Sequence, residues 1–354
     1  MVDSGTTELT RPLPGLETVE SPLPAGEPGR FLERGSFGKL MLFSGRSNLE
    51  LAERIAEHLN MQLGDVELGT FANGETYCRY RESIRGADVF IVQSCSPPVN
   101  DHLMELLIMI DAAKLASASR ITAVMPWYPY SRQDKKSSPR EPITAKLVAE
   151  LLQAAGVDRV LTMDLHAGQI QGFFTIPVDH MTALHLFAQY YRDKGLVGDD
   201  VIAVSPDPGR AKLAGKFGEM LDSDLAILNK TRPAHDVAAV TEVIGRVRGK
   251  IAVMSDDIVV TGNTLIAGAE ALLEAGATEV YACATHGLFP GEALEKLASS
   301  RLREIAVTDT VPIPLDRPDN IEVLRVGGLL AETIRNVFLG ESVSGLFPGG
   351  NQLF

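Results

Sequence analysis

Ile251 to Thr264 reads IAVMSDDIVVTGNT, and its residue types fall in the order a sugar phosphate requires. Asp256 and Asp257 are adjacent carboxylates that can accept hydrogen bonds from a ribose diol or hold a hydrated cation. Thr261, Gly262, Asn263 and Thr264 form a turn offering backbone N–H groups and two hydroxyls to a phosphate. Small residues there let the backbone approach it. The helical run LIAGAEALLEAGA comes next, and a helix N-terminus favours negative charge. The same pattern also serves as an ordinary capped turn between strand and helix. The rest of the chain has to separate the two readings.

Four further segments carry chemistry. Tyr128 to Lys146 is a basic loop with Arg132, Gln133, Lys135, Lys136 and Arg140, suited to closing on a polyphosphate. Asp164-Leu165-His166 follows an apolar run, and a His there can meet a metal or a phosphate. Ser205-Pro206-Asp207-Pro208-Gly209 places another carboxylate after an apolar run, with Lys212 close behind. With His166, Asp207 could hold Mg²⁺ against ATP oxygens. Phe71 to Glu75 reads as a short exposed turn.

These segments must be positioned by regular elements. From Lys39 the chain alternates strand-like runs (KLMLFSG, ADVFIVQS, ITAVMPWYPY, RVLTMDLH) with helical ones (NLELAERIAEHL, NDHLMELLIMIDAAKLA, ITAKLVAELLQAAG). After about residue 183 the same grammar restarts, through DVIAVSPD, DLAILNK, KIAVMSDD and EVYACATHG. The reading is an α/β protein of two similar domains, each a mainly parallel sheet flanked by helices. The expected boundaries are 37–182 and 183–354, with the C-terminal tail packing on the N-terminal domain. Residues 1–36, rich in Pro, Gly, Glu and Ser, read as a disordered extension. Ligands in such sheets bind beyond the carboxyl ends of the strands, where DLH, SPD, SDD and THG all stand.

Composition narrows the function. The 354 residues carry a formal net charge of −13, which argues against nucleic acid or an anionic membrane as partner. Cys78, Cys95 and Cys283 show no paired spacing, so buried or partly buried free thiols in a reducing compartment are expected. No apolar run approaches a membrane span and no secretory signal is seen, so the expected location is cytoplasmic.

Read together, these motifs resemble the ribose-phosphate pyrophosphokinase (phosphoribosyl pyrophosphate synthetase) family. The likeness runs from about Lys39 to Phe347 and rests on FANGE at 71–75, PPVNDHLMELLIMIDA at 97–112 and YSRQDKKSSPREPITAKLVAELL at 130–152. It continues in TMDLHAGQIQGFF at 162–174, SPDPGRAK at 205–212, SDDIVVTGNT at 255–264 and ATEVYACATHG at 277–287. The resemblance implies two phosphoribosyltransferase-type domains. It also implies transfer of a diphosphoryl group from ATP to the 1-hydroxyl of ribose 5-phosphate. Phe71, Asn73 and Glu75 would meet the adenine of an ATP held mainly by a neighbouring subunit, which implies a dimer-based homo-oligomer, up to a hexamer. Arg132 and Gln133 would bind ATP, and Arg140 would belong to a flap over it. His166 and Asp207 would be direct or water-bridged partners of Mg²⁺, and Lys212 the catalytic lysine, acting with Arg132 and His166. Asp256 and Asp257 would hold the ribose hydroxyls, and Thr261, Gly262, Asn263 and Thr264 the 5-phosphate. Ser83, Arg85, Gln171, Ser342 and Ser344 match positions of an allosteric anion site.

The chain departs from the family's pattern inside these motifs. Val260 stands where a third acid is usual, and Asn263 replaces a Gly, its tolerance of left-handed angles being expected to preserve the turn. Arg210 replaces the second Gly of the SPD loop, and Leu213 an Arg after the catalytic lysine. Gly168 and Gly345 replace residues near the anion site, which implies weak dependence on inorganic phosphate. A catalytically weak or silent paralogue, binding nucleotide and regulating a partner, is the alternative to a working enzyme.

Overall fold

The computed structural model describes residues 32–33, 38–231 and 240–346. The elements in chain order are β1 (Leu32–Glu33), β2 (Lys39–Ser44), α1 (Leu49–His58), β3 (Val66–Thr70), β4 (Thr76–Tyr80), β5 (Asp88–Val92), α2 (Val99–Leu115), β6 (Arg120–Met125), α3 (Thr144–Ala155), β7 (Arg159–Met163) and β8 (Val178–Met181). The second half continues with α4 (Leu184–Asp193), β9 (Val201–Ser205), α5 (Ala211–Met220), β10 (Asp224–Thr231), β11 (Val240–Ile244), β12 (Ile251–Val259), α6 (Asn263–Glu274), β13 (Glu279–Gly287), α7 (Ala293–Ala298), β14 (Glu304–Thr308), β15 (Ile321–Leu324) and α8 (Gly327–Leu339).

Local chemistry accounts for these elements. Strands such as FSG-preceding KLML and the run VIAVS are buried on both faces, so they read as near-continuous apolar runs. Helix α1 buries Leu51, Ala52, Ile55 and Ala56 on one stripe, and Asn48 caps it by accepting from the Leu51 N–H at 3.3 Å. Helix α3 stops at Gly156, whose φ of 112° is left-handed and whose N–H turns back to the last carbonyls.

One sheet has the order β1-β2-β5-β6-β7-β8 and the other β11-β10-β9-β12-β13-β14-β15. Both are parallel except at one edge, where β1 on β2 and β11 on β10 run antiparallel. The α/β fold with parallel sheets flanked by helices is therefore as the sequence indicated. Within the stretch expected as an extension, Leu32 and Glu33 pair with Leu40 and Lys39. Residues 1–31 and 34–37 lie outside the described residues.

Strand alternation sorts the core into layers. Leu40, Leu42, Phe90 and Val92 face a middle cluster, while Met41, Phe43, Val89 and Ile91 face an outer one. In the second sheet Val201, Ala203, Val253 and Cys283 face the same middle cluster, and Ile202, Val204, Ala252 and Met254 face a third. The two sheets thus share one apolar layer, which α1, α4 and α8 fill. Helix α8 sits on α1: a Cβ added at Gly327 would lie 3.0 Å from Arg54, and one at Gly328 3.4 Å from His58. The second half of the chain in this way closes over the first. Cys95 and Cys283 are buried and Cys78 half-buried, all as free thiols. No described helix is long and apolar enough to cross a membrane.

Asp309, just beyond β14, ties this junction together. Its carboxylate accepts from the Val326 N–H at 2.8 Å at the start of α8, and its carbonyl accepts from Asn48 Nδ2 at 2.9 Å at the start of α1. The other carboxylate oxygen is buried without a partner, and burial pushes the group up to about 6. A folded-state pKa above the unfolded value makes the protonated form the favoured one. The contribution is fully present below the unfolded pKa near 4 and is lost as pH rises to about 6. Asp309→Asn is therefore expected to stabilise the fold by roughly 1–3 kcal/mol at pH 8 and by almost nothing at pH 4. Urea unfolding at the two pH values checks this; an equal effect at both would contradict it.

Candidate active site

The site forms where the carboxyl ends of both sheets meet. Strand β12 runs through the acid pair to Val259, further than the sequence suggested, because β13 continues beside it to Gly287. Asp257 is buried and Asp256 nearly so. From the first sheet, the loop after β7 brings His166 across, and its Nδ1 lies 2.7 Å from Asp257 Oδ2. From the loop after β9, Arg210 Nη1 lies 3.1 Å from Asp257 Oδ1, and its Nε 3.4 Å from Asp256 Oδ1. The Asp257 N–H donates to Asp256 Oδ1 at 2.8 Å.

A second tie runs below. Asp164, at a positive φ of 34°, accepts from Thr285 Oγ1 at 2.6 Å and from the Ala183 N–H at 2.8 Å. Thr285 falls at a register shift between β13 and β14. His286 is fully buried against Trp127, with its Nε2 3.1 Å from the Met163 carbonyl and its Nδ1 2.9 Å from Thr310 Oγ1. The strand-end motifs DLH, SDD and THG are thus joined by side-chain contacts, and the loop after SPD reaches them through Arg210. Sequence reasoning gave no role to Asp164, Thr285, His286 or Arg210; a polar residue at each strand end was the available signal.

The electrostatics follow from this packing. The hydrogen bond to Asp257 raises the His166 pKa, against burial and the charges of Arg210 and Arg132. Burial opposes ionisation of Asp257, but the bond from His166 and the Arg210 guanidinium outweigh it and hold this carboxyl well below the usual range. Burial and the neighbouring Asp257 push Asp256 the other way, above the usual range. Like charges this close separate into one ionised group and one reluctant one.

The phosphate loop lies at the end of β12. Gly262 is the residue in the left-handed region, at φ 76°, and caps α6 without a side-chain hydrogen bond. A Cβ there would also meet Leu297 at 2.7 Å. Asn263 is instead the first helical residue, so its replacement of Gly needs no left-handed tolerance, contrary to the sequence expectation. Thr261, Asn263 and Thr264 are exposed at the start of α6, the end of a helix that favours an anion. Val260 is half-buried and offers no acceptor.

The remaining expected residues fall in separate places. Lys212 is exposed in the first turn of α5, and Asp207 caps the turn before it by accepting from the Arg210 N–H at 3.1 Å. Arg132 is exposed yet near enough to depress His166. Gln133 accepts from Thr144 Oγ1 at 2.6 Å, and Arg140 is exposed at φ 71° in a loop held by Glu141. Phe71, Asn73 and Glu75 sit at the tip of the antiparallel β3–β4 ribbon, away from the acid pair's contacts, with Phe71 54% exposed. Ser342 and Ser344 meet at 2.9 Å, whereas Arg85 bonds Ser117, the Ser83 carbonyl takes Lys39, and Gln171 bonds the Gly168 carbonyl. These four contacts share no residue with one another.

Among the described residues no group of three or more His, Cys, Asp or Glu forms a ready cage for a metal. Mg²⁺ needs only one or two protein groups and completes its shell with phosphate oxygens and water, so the His166 imidazole and the Asp207 carboxylate are suitable donor types without such a cage. Asp257 orients His166 through Nδ1 as a carboxylate orients a metal-side imidazole, leaving Nε2 for an outer partner.

Comparison with known proteins agrees with the geometry. Residues 40–156 match the family model described as the N-terminal domain of ribose phosphate pyrophosphokinase, and residues 226–348 the phosphoribosyl synthetase-associated domain. The ribose-phosphate pyrophosphokinase of Caldanaerobacter subterraneus is 54% identical over 309 residues, covering 87% of this chain and 98% of the relative. That of Fusobacterium nucleatum is 51% identical over 313 residues, covering 88% and 99%. The crystal structure of phosphoribosylpyrophosphate synthetase from Mycobacterium smegmatis superposes with a TM-score of 0.80 at 46% identity, covering 85% of this chain and 99% of that one. With both family models matched in order, and the strand-end motifs meeting at one site, the chain belongs to the ribose-phosphate pyrophosphokinase family.

Proposed function

We propose that the protein is a ribose-phosphate diphosphokinase, transferring the diphosphoryl group of ATP to the 1-hydroxyl of ribose 5-phosphate. The 1-oxygen attacks the β-phosphorus, the bond from that phosphorus to the α–β bridging oxygen breaks, and AMP leaves. The hydroxyl proton passes to solvent. The observation that supports this best is the Asp256–Asp257 pair in β12, followed directly by the exposed turn that opens α6. A carboxylate pair that accepts from a sugar diol, next to N–H groups that bind a phosphate, measures out a ribose 5-phosphate.

The other residues take roles consistent with their positions. Thr261, Gly262, Asn263 and Thr264 bind the 5-phosphate. Arg132 and Gln133 bind ATP, with Arg140 in the loop that covers it. Phe71, Asn73 and Glu75, on an exposed ribbon tip, reach the adenine of ATP on a second copy, so the working form is a homo-oligomer. His166 and Asp207 would hold Mg²⁺, which when bound neutralises the charge of the transferred phosphates. Lys212, exposed on the first turn of α5, adds a cation to the same charge. A loose phosphoryl transition state needs little general base; alignment and charge neutralisation carry the rate. The protein's place is the cytoplasm, and Ser83, Arg85, Gln171, Ser342 and Ser344 would form an anion site only where copies assemble.

Incubation with ATP, Mg²⁺ and ribose 5-phosphate should release AMP only when the sugar phosphate is present. ATP binding without AMP release would favour a silent regulatory subunit instead.

A further inference from the structure

The acid pair is already occupied by a residue of the chain itself. Asp257 Oδ2 is taken by His166, Asp257 Oδ1 by Arg210 Nη1, and Asp256 Oδ1 by the Asp257 N–H with Arg210 Nε close by. Three of the four carboxylate oxygens are therefore engaged, two of them facing one guanidinium. The Arg210 side chain is 16% exposed, so it lies in the site and not in solvent. Its backbone is fixed, because the Arg210 N–H donates to the Asp207 side chain at 3.1 Å and to the Asp207 carbonyl at 3.3 Å.

The fit of this guanidinium is imperfect. Arg210 Nε is buried yet makes no hydrogen bond of good geometry, and Ser255 Oγ on the adjoining strand is likewise buried and unpartnered. Both residues line a gap with Asp164, Thr182, Asp256 and Thr285. A buried donor without an acceptor is costly, so the contact is easier to displace than a bidentate fork would be.

We infer that Arg210 is an internal competitor of ribose 5-phosphate, occupying the acceptors on Asp256 and Asp257 until the sugar diol displaces it. This inference rests on the ribose 5-phosphate reading of the acid pair. Two vicinal hydroxyls need two acceptors, and the pair cannot supply both while the guanidinium sits on them. Val260 sharpens the effect, since it provides no third acceptor to share the load. Arg210 thereby sets affinity for the sugar phosphate, and the chain binds it more weakly than its acid pair alone would allow.

The test is calorimetric titration of ribose 5-phosphate into the full chain with Mg²⁺ and an α,β-methylene analogue of ATP, which cannot transfer the diphosphoryl group. Wild type is compared with Arg210→Gly, Arg210→Gln and Arg210→Lys. The Gln variant keeps side-chain length and helix start, so it carries the test should the Gly variant fold poorly. Gly and Gln are expected to bind roughly 10-fold tighter, the scale of one displaced charge-assisted hydrogen bond, with Lys close to wild type and nucleotide affinity unchanged in all four. Equal affinity for the sugar phosphate in all four overturns the competitor role while leaving the ribose 5-phosphate site standing. Weaker binding by Gly and Gln, rescued by Lys, overturns it too, because Arg210 then attracts the ligand. No binding by any form overturns this inference and the proposed function together.

Discussion

Lys212→Ala is expected to lower kcat by about 100-fold or more, the scale of removing one preorganised charge donor from a transition state. Lys212 stands two residues beyond Arg210, in the first exposed turn of α5, and enters no ion pair among the described residues. Its ammonium is therefore uncommitted to the acid pair and can follow the charge that moves onto the departing AMP. Because the acids and the phosphate loop stay intact, KM for ribose 5-phosphate should change little. A loss confined to kcat marks an interaction made in the transition state alone. Leu213 stands where an Arg would add a second cation to this turn, so the expected loss falls on Lys212 without a neighbouring Arg to offset it. Steady-state kinetics decide the matter: near-normal kcat in the Ala variant would remove Lys212 from the chemistry.

Asp257→Asn should have the larger effect, a fall in kcat/KM of roughly 1,000-fold. Asp257 is the most connected group of the site, touching His166 with one oxygen and Arg210 with the other. An amide keeps its shape but can accept with one atom only and turns its NH₂ toward one of two donors. His166 then loses the partner that orients its ring, and the diol loses an acceptor. The fold should survive. Breaking a buried ion pair costs about 3–5 kcal/mol when a charge is stranded, but Arg210 retains Asp256, and the repulsion between the two carboxylates disappears. A melting temperature within a few degrees of wild type, together with the kinetic loss, separates a site residue from a structural one. Loss of both together would assign Asp257 to stability.

Much of this site was legible because parallel strands buried on both faces write themselves as apolar runs. The chemistry of such sheets collects where those runs end. Asp256, Asp257, His166 and Asp207 could be picked out on that ground, and the first three meet in space. Other features left no local mark. Strands β3 and β4 are half-exposed, so VELGT and TYCRY lack an apolar signature and Phe71 to Glu75 read as a plain loop. The acid pair lies inside β12 because β13 continues pairing alongside, a fact about a neighbour and not about the segment. Gly262 is required both by its left-handed backbone and by Leu297, which leaves no room for a Cβ. The side-chain reach of Arg210 and the seat of α8 on α1 are tertiary, joining residues that no window of sequence contains.

The central claim is transfer of an intact diphosphoryl group onto the 1-oxygen of ribose 5-phosphate. Phosphorus NMR of the protein with ATP, Mg²⁺ and ribose 5-phosphate tests it most directly. AMP and a 1-linked sugar diphosphate should rise together in equal amounts as ATP falls. ADP without AMP, or AMP with free pyrophosphate in place of the sugar diphosphate, would contradict it.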